Sequence, residues 1–188
     1  MTFVYCGGNT MDNLGNGFLD IGAWYQLSKV CPDAKVISVS NTSPEKAYFY
    51  GAKHGFRQPG KSRINRFDLR MQFDADYYVF TAACLCDSWF DINKEFLGWL
   101  ADGQHKVVIL GASGSDSGSL KYNPSEMNRI KDRIASLNLY LMTSRDNDTF
   151  DVFADLATHA HNGIDCAMFL NDAFEPSNMN MGSFDVPP

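Results

Sequence analysis

Short apolar runs alternate along this chain with longer stretches in which apolar residues recur every three or four positions. The runs read as strands: Phe3-Val4-Tyr5-Cys6, Lys35 to Ser40, Asp76 to Ala83, Lys106 to Gly111, Leu139 to Thr143, and a last short one at Cys166 to Leu170. The periodic stretches read as helices. The first begins at Asn16 or Gly17 and reaches Val30, with Phe18, Ile21, Trp24 or Tyr25, and Leu27 in phase, and Pro32 stops it. Ser43-Pro44 opens a short helix, with Ser43 as cap. Ile92, Phe96 and Trp99 or Leu100 mark a helix over about Asp91–Ala101. Met127, Ile130, Ile134 and Leu137 mark the next, which starts at Asn123-Pro124-Ser125-Glu126. A final helix, capped by Asp148 or Thr149, reaches Ala157, with His159 and His161 flanking its end. Lys53 to Arg70 has little periodicity and reads as a long loop or broken helix.

Strands that alternate with helices predict an α/β fold: a doubly wound, mostly parallel Rossmann-like sheet with helices on both faces. The continuous apolar run Val107-Val108-Ile109-Leu110 suits a strand buried on both sides. Residues 1–172 form this domain, and 173–188, rich in Asn, Met, Ser and Pro without periodicity, read as a linker or flexible tail. In such sheets ligands bind outside the carboxyl ends of the strands. The polar or glycine-rich loops after Cys6, after Gly111 and after Thr143 therefore share one edge, where a site is expected.

The chain has 188 residues, 45% hydrophobic and 20% charged, which fits one globular domain with a sizeable core. Its formal charge of −6 argues against general nucleic-acid binding. No apolar run is long enough for a membrane span, and no secretory leader is evident, so a cytoplasmic location is expected. The five cysteines are odd in number, and Cys84-Leu85-Cys86 is too tightly spaced for a C-x-x-C pattern. They read as free thiols, three of them (Cys6, Cys84 and Cys166) in or beside strands, and neither a metal site nor a cofactor is assigned.

The turn Gly7-Gly8-Asn9-Thr10-Met11-Asp12-Asn13-Leu14-Gly15-Asn16 joins the first strand to the first helix. Its glycines let a ligand approach the backbone, and the helix start suits an anion. It fits neither the G-x-G-x-x-G fingerprint nor a Walker A loop. Asn9, Asp12 and Asn13 either bind a ligand or satisfy the turn and cap the helix. Arg145-Asp146 either meets an anion or forms an ion pair and a cap. Lys53, His54, Arg57, Lys61, Arg63, Arg66 and Arg70, with Asp68 among them, either bind an anionic glycan or phosphate or, the favoured reading, form a solvated basic face. Ser113 and Ser115 lie in a Gly/Ser loop that lacks the G-x-S-x-G elbow of serine hydrolases.

In order and position these signals resemble the N-terminal half of the polysaccharide pyruvyl transferase family. Gly8-Asn9 and Asn13-Leu14-Gly15-Asn16 stand where that family has its glycine-asparagine turn, and Asp74-Ala75-Asp76-Tyr77-Tyr78-Val79 matches its Ala-Asp strand. Val107 to Gly114 matches a strand ending in a glycine loop, Arg145-Asp146-Asn147-Asp148-Thr149 an Arg-Asp-x-x-Ser/Thr motif, and Asp165-Cys166-Ala167 an Asp-Pro-Ala motif. Asn16 replaces an acidic residue, Thr81-Ala82-Ala83 a glycine triplet, and Cys166 a proline. The resemblance implies one half of a GT-B-like fold, completed by a second domain that carries most of the donor-binding Arg and His residues. It implies transfer of a pyruvyl group from phosphoenolpyruvate to the hydroxyls of a sugar or glycan acceptor, as a ketal, with phosphate released. On that scheme Asp12 is the general base, and Gly8, Asn9, Asn13, Asn16, Ser113, Arg145 and Asp146 bind substrate. The alternative is a non-catalytic binding or assembly module on the same scaffold, with self-association as its mark.

Overall fold

The computed structural model of the protein describes residues 1–6, 14–40, 55–57, 68–114 and 124–173. Among the described residues eight strands carry the sheet: β1 (Thr2–Tyr5), β2 (Lys35–Ser40), β3 (Gly55–Arg57), β4 (Tyr77–Thr81), β5 (Cys84–Leu85), β6 (Lys106–Gly114), β7 (Asn138–Ser144) and β8 (His159–Asn162). The main path runs β3-β2-β1-β4-β6-β7-β8, with β5 on the end of β6. Every described pairing is parallel. The expected α/β, Rossmann-like sheet is what the chain forms. From the centre it winds one way through β2 and β3 and the other way through β4, β6, β7 and β8. The connections therefore fall on opposite faces.

Side-chain alternation explains why the strands read as unbroken apolar runs. Phe3, Tyr5, Val79, Val108 and Leu110 point to one face, beneath α1 (Leu14–Val30). Val4, Tyr78, Phe80, Val107 and Ile109 point to the other. There they meet α2 (Asp87–Ile92), α3 (Lys94–Asp102), α4 (Pro124–Ala135) and α5 (Asn147–Phe153) through Phe90, Phe96, Leu97, Leu100, Ile130, Ile134 and Phe153. Each such side chain taken from water contributes about 1.5–3 kcal/mol. Ile130 and Ile134, one helical turn apart, are both fully buried, as their spacing predicts.

Four expectations are corrected. The helix placed over Asp91–Ala101 is two helices that meet at Asn93, whose φ of −100° and ψ of 6° leave the helical region. The last strand is β8; Cys166–Phe169 is instead a 3₁₀ turn leading into α6 (Leu170–Ala173). His159 and His161 accordingly sit on an edge strand and not at a helix end. Asp146, rather than Asp148 or Thr149, caps α5, its carboxylate accepting from the Thr149 N–H at 2.7 Å. The segment read as loop or broken helix, Lys53 to Arg70, also contains β3 and ends in the start of a 3₁₀ turn at Leu69–Gln72. The helix expected from Ser43, and the tail beyond Ala173, lie outside the described residues.

After β8 the chain crosses back to the opposite face and lies on α1. The contact is close at Gly22: a Cβ there would sit 1.8 Å from the Cys166 carbonyl oxygen. β6 carries a register irregularity between Ile109 and Ala112, where Gly111 has φ +69° and donates its N–H to Thr143 Oγ1 at 2.8 Å. This bulge re-aims Ala112–Gly114 toward the ends of β5 and β7. Among the described residues no helix is long and apolar enough to cross a membrane.

Candidate functional site

The sheet order reverses between β1 and β4, so the crevice at their carboxyl ends is the ligand position of a doubly wound fold. Cys6 closes the ladder there, its N–H bonding the Val79 carbonyl at 2.7 Å. Gly8, Asn9, Asp12 and Asn13 follow it and lie outside the described residues, as does Ser115. Asn16 lies in the first turn of α1, with its side chain outside the description.

Beneath that turn, a buried polar cluster ties α1 to both central strands. Asp20, 4% exposed, accepts at one carboxylate oxygen from the Tyr5 hydroxyl at 2.7 Å and from Thr81 Oγ1 at 2.8 Å. Burial, and then the Asp20 charge, hold the Tyr5 phenol well above its ordinary value, so it serves as a neutral donor. Thr81 ends β4, and Ala82 follows in the left-handed region with φ 50°, its N–H bonded to the Leu110 carbonyl at 2.9 Å. A Cβ in that region is strained, so Ala82→Gly should raise stability by up to about 1 kcal/mol. A lower midpoint in chemical denaturation would show that Ala82 is not strained there.

The opposite face of the same edge holds a second cluster. Asp68, 2% exposed, accepts from Arg70 Nη2 at 2.6 Å, Arg70 Nε at 2.9 Å and the Arg70 N–H at 3.0 Å. Arg70 Nη1 donates to Asn93 Oδ1 at 3.0 Å, and the guanidinium lies 4.0 Å over the Phe96 ring. This corrects the reading of Arg70 as part of a solvated basic face. Burial pushes the neighbouring Cys6 thiol up to about 12 against the opposing Arg70 charge, which leaves it protonated and unreactive at neutral pH.

Across β6, β7 and β8, one guanidinium joins three strand ends. Arg145 Nη2 donates to Ser113 Oγ at 2.7 Å, and Nη1 donates to Asp165 Oδ2 at 3.0 Å. Its backbone N–H bonds the Ala112 carbonyl at 3.0 Å. Asp165 Oδ1 accepts from the Ala167 N–H at 2.9 Å and so caps the turn that lies on α1. Ser113 is buried, whereas the Arg145 and Asp165 side chains retain 27% and 30% exposure. Ser113 and Arg145 are thus brought together. Asp146 is adjacent, but its carboxylate is held by the α5 cap, next to Thr149, whose Oγ1 accepts from the Gly114 N–H at 2.6 Å.

Cys166, inward of this pair, is pushed up to about 11 by burial and next by the Asp165 charge. None of the five cysteines is joined in a disulfide. Both Cys6 and Cys166 have folded values above the ordinary 9, so the native state retains their protons longer than the unfolded chain does. The associated stability is fully present below pH 9 and is lost as pH rises toward 11 and 12. The loss should approach at most about 1.4 kcal/mol per pH unit for each buried thiol, and less for part-exposed Cys6. Thermal midpoints measured under reductant should fall over this window, and a flat profile would show that the thiols ionise freely in the native state.

Tyr5, Asp20, Thr81 and Asp165 were not singled out as site residues from the sequence. The available signal was Asp20, an acid between Leu19 and Ala23 in the buried stripe of α1. Among the described residues, no group of three or more His, Cys, Asp or Glu is placed to hold a metal ion.

Fold and site together define a doubly wound Rossmann-like α/β domain with a polar carboxyl edge. No family model matches the chain, and no curated protein matches it.

Proposed function

We propose that this chain is a polysaccharide pyruvyl transferase-like domain, acting in the cytoplasm in exopolysaccharide synthesis and completed by a second domain. In this reading the acceptor is a sugar or glycan and the donor is phosphoenolpyruvate. The methylene of the enol is protonated, sugar hydroxyls attack the enol carbon to form the ketal, and phosphate leaves. Asp12 takes the hydroxyl proton, and Arg145 meets the anionic donor. The observation that carries the reading is the arrangement at the carboxyl edge. Arg145 and Ser113 lie on the same edge as the carboxyl end of β1, the strand that precedes Gly8 in the chain.

A thermal-shift titration at low salt with phosphoenolpyruvate, phosphate and a panel of sugars tests it. A ligand at 100 times its Kd should stabilise the fold by about 2.7 kcal/mol. The shift should saturate with donor or with one sugar, and Arg145→Ala should abolish the donor shift. Asp12→Ala should abolish turnover once the second domain is supplied.

A non-catalytic binding or assembly module is the second reading. It is favoured by the engagement of Asp146 in a cap, the pairing of Arg145 with Asp165, and the alanines at 82 and 83. It predicts no shift with any of these ligands, and self-association in sedimentation.

A further inference from the structure

The contact between Arg145 and Asp165 joins a cation at the candidate site to a carboxylate on the segment that covers α1. Asp165 presents to Arg145 Nη1 the same chemical group that a small carboxylate ligand would present. It does so from a position open to solvent, with both side chains about one-quarter to one-third exposed. Its other oxygen is used locally, in the cap to Ala167. The next residue, Cys166, places its carbonyl against Gly22 of α1. The second guanidinium nitrogen rests on Ser113, a neutral partner that would remain in place if Asp165 withdrew.

We propose that Asp165 is a built-in competitor for the anion site at Arg145. A small carboxylate or phosphate ligand binds by exchanging with Asp165 on Nη1 while Ser113 keeps Nη2 in position. Asp165 is thus a positioning residue: it holds the guanidinium at the edge in the free protein and sets the threshold an anion must exceed. Because the pair with Arg145 also tethers the turn that lies on α1, the exchange loosens the Asp165–Ala173 segment. Anion binding and the cover of α1 are therefore coupled.

The inference rests on Arg145 being the anion-binding residue of the proposed function, so the experiment separates the two. Inorganic phosphate and phosphoenolpyruvate are titrated, at low and constant ionic strength, into the full chain and into Asp165→Asn, Asp165→Glu and Arg145→Gln. Asn retains a carbonyl oxygen for the Ala167 cap but removes the charge. Asp165→Asn should bind either anion about three- to five-fold more tightly than the parent, the range expected for removing a part-exposed ion pair. Asp165→Glu should stay within about two-fold of the parent, and Arg145→Gln should lose binding. Amide hydrogen exchange over residues 165–173 should accelerate on anion binding in the parent and already be fast in Asp165→Asn. A merely structural Asp165 would lower the thermal midpoint of Asp165→Asn without raising anion affinity. Equal or weaker binding by Asp165→Asn, with Arg145→Gln still deficient, would overturn the competitor role and leave the anion site standing. Absence of binding in the parent and in Asp165→Asn alike would overturn both.

Discussion

Replacing Gly22 with alanine should destabilise the protein by about 3 kcal/mol or more, lowering the thermal midpoint by roughly 6–12 °C. The added Cβ would lie 1.8 Å from the Cys166 carbonyl oxygen and 2.6 Å from its carbon. Both are backbone atoms, so no rotamer change relieves the overlap. Either α1 moves off the sheet, where Leu19 and Ala23 are buried, or the Asp165–Phe169 turn lifts away. Alanine is the better helix former, so propensity alone would make the change favourable by nearly 1 kcal/mol. The two effects have opposite signs, and an unchanged or raised midpoint would show that the turn does not bear on Gly22. Gly98 is the control: a Cβ there meets nothing within 4 Å, so Gly98→Ala in α3 should be neutral or stabilising.

Removing the carboxylate of Asp68 should cost about 3–5 kcal/mol, the scale for breaking a buried ion pair from one side. Arg70 is only 12% exposed at its side chain and loses three hydrogen-bond contacts to the Asp68 side chain's charged oxygens, together with its neutralising charge. Asn93 and the Phe96 ring remain, but they supply no negative charge. Asp68→Ala should therefore unfold at markedly lower denaturant. The double replacement of Asp68 by Ala and Arg70 by Leu should recover part of the loss, since no charge is then stranded. If the single variant were as stable as the parent, the pair would not be a structural element of the β1–β4 crevice.

How much of this was legible in the sequence depends on what each segment buries. The strands β1, β4 and β6 could be read because a parallel sheet covered on both faces makes long runs of apolar positions, and β2 and β7 because Ile37, Val39, Leu139 and Met142 are buried within them. β8 could not: His-Ala-His-Asn is an exposed edge strand, and its polar side chains carry no apolar signal. Cys-Ala-Met-Phe-Leu carried that signal and formed no strand: Cys166 and Ala167 pack in the cluster under α1, while Met168 faces solvent. The helix boundary at Asn93 was hidden because Ile92, Phe96 and Trp99 or Leu100 read as one stripe across the break, although Ile92 is exposed. At the candidate site, Arg145 and Ser113 stood out by charge and by loop composition, and they meet. Asp165 stands out in the sequence only through a motif likeness. Its pairing with Arg145 depends on a chain reversal after β8 that no local pattern encodes. Asp68 and Arg70 were masked by the basic residues around them, since a charge run looks the same whether or not one ion pair within it is buried.

The return of the chain after β8 also orders events during folding. α1 forms early in the sequence, yet the surface around Gly22 is covered only by Cys166 and the residues that follow it. Such a closure joins segments far apart along the chain, and its loop entropy must be met before the contact gives any return. During synthesis the Gly22 surface of the first helix stays open until nearly all the described chain has emerged, and it is there that a chaperone or a neighbouring nascent chain would find the domain unfinished.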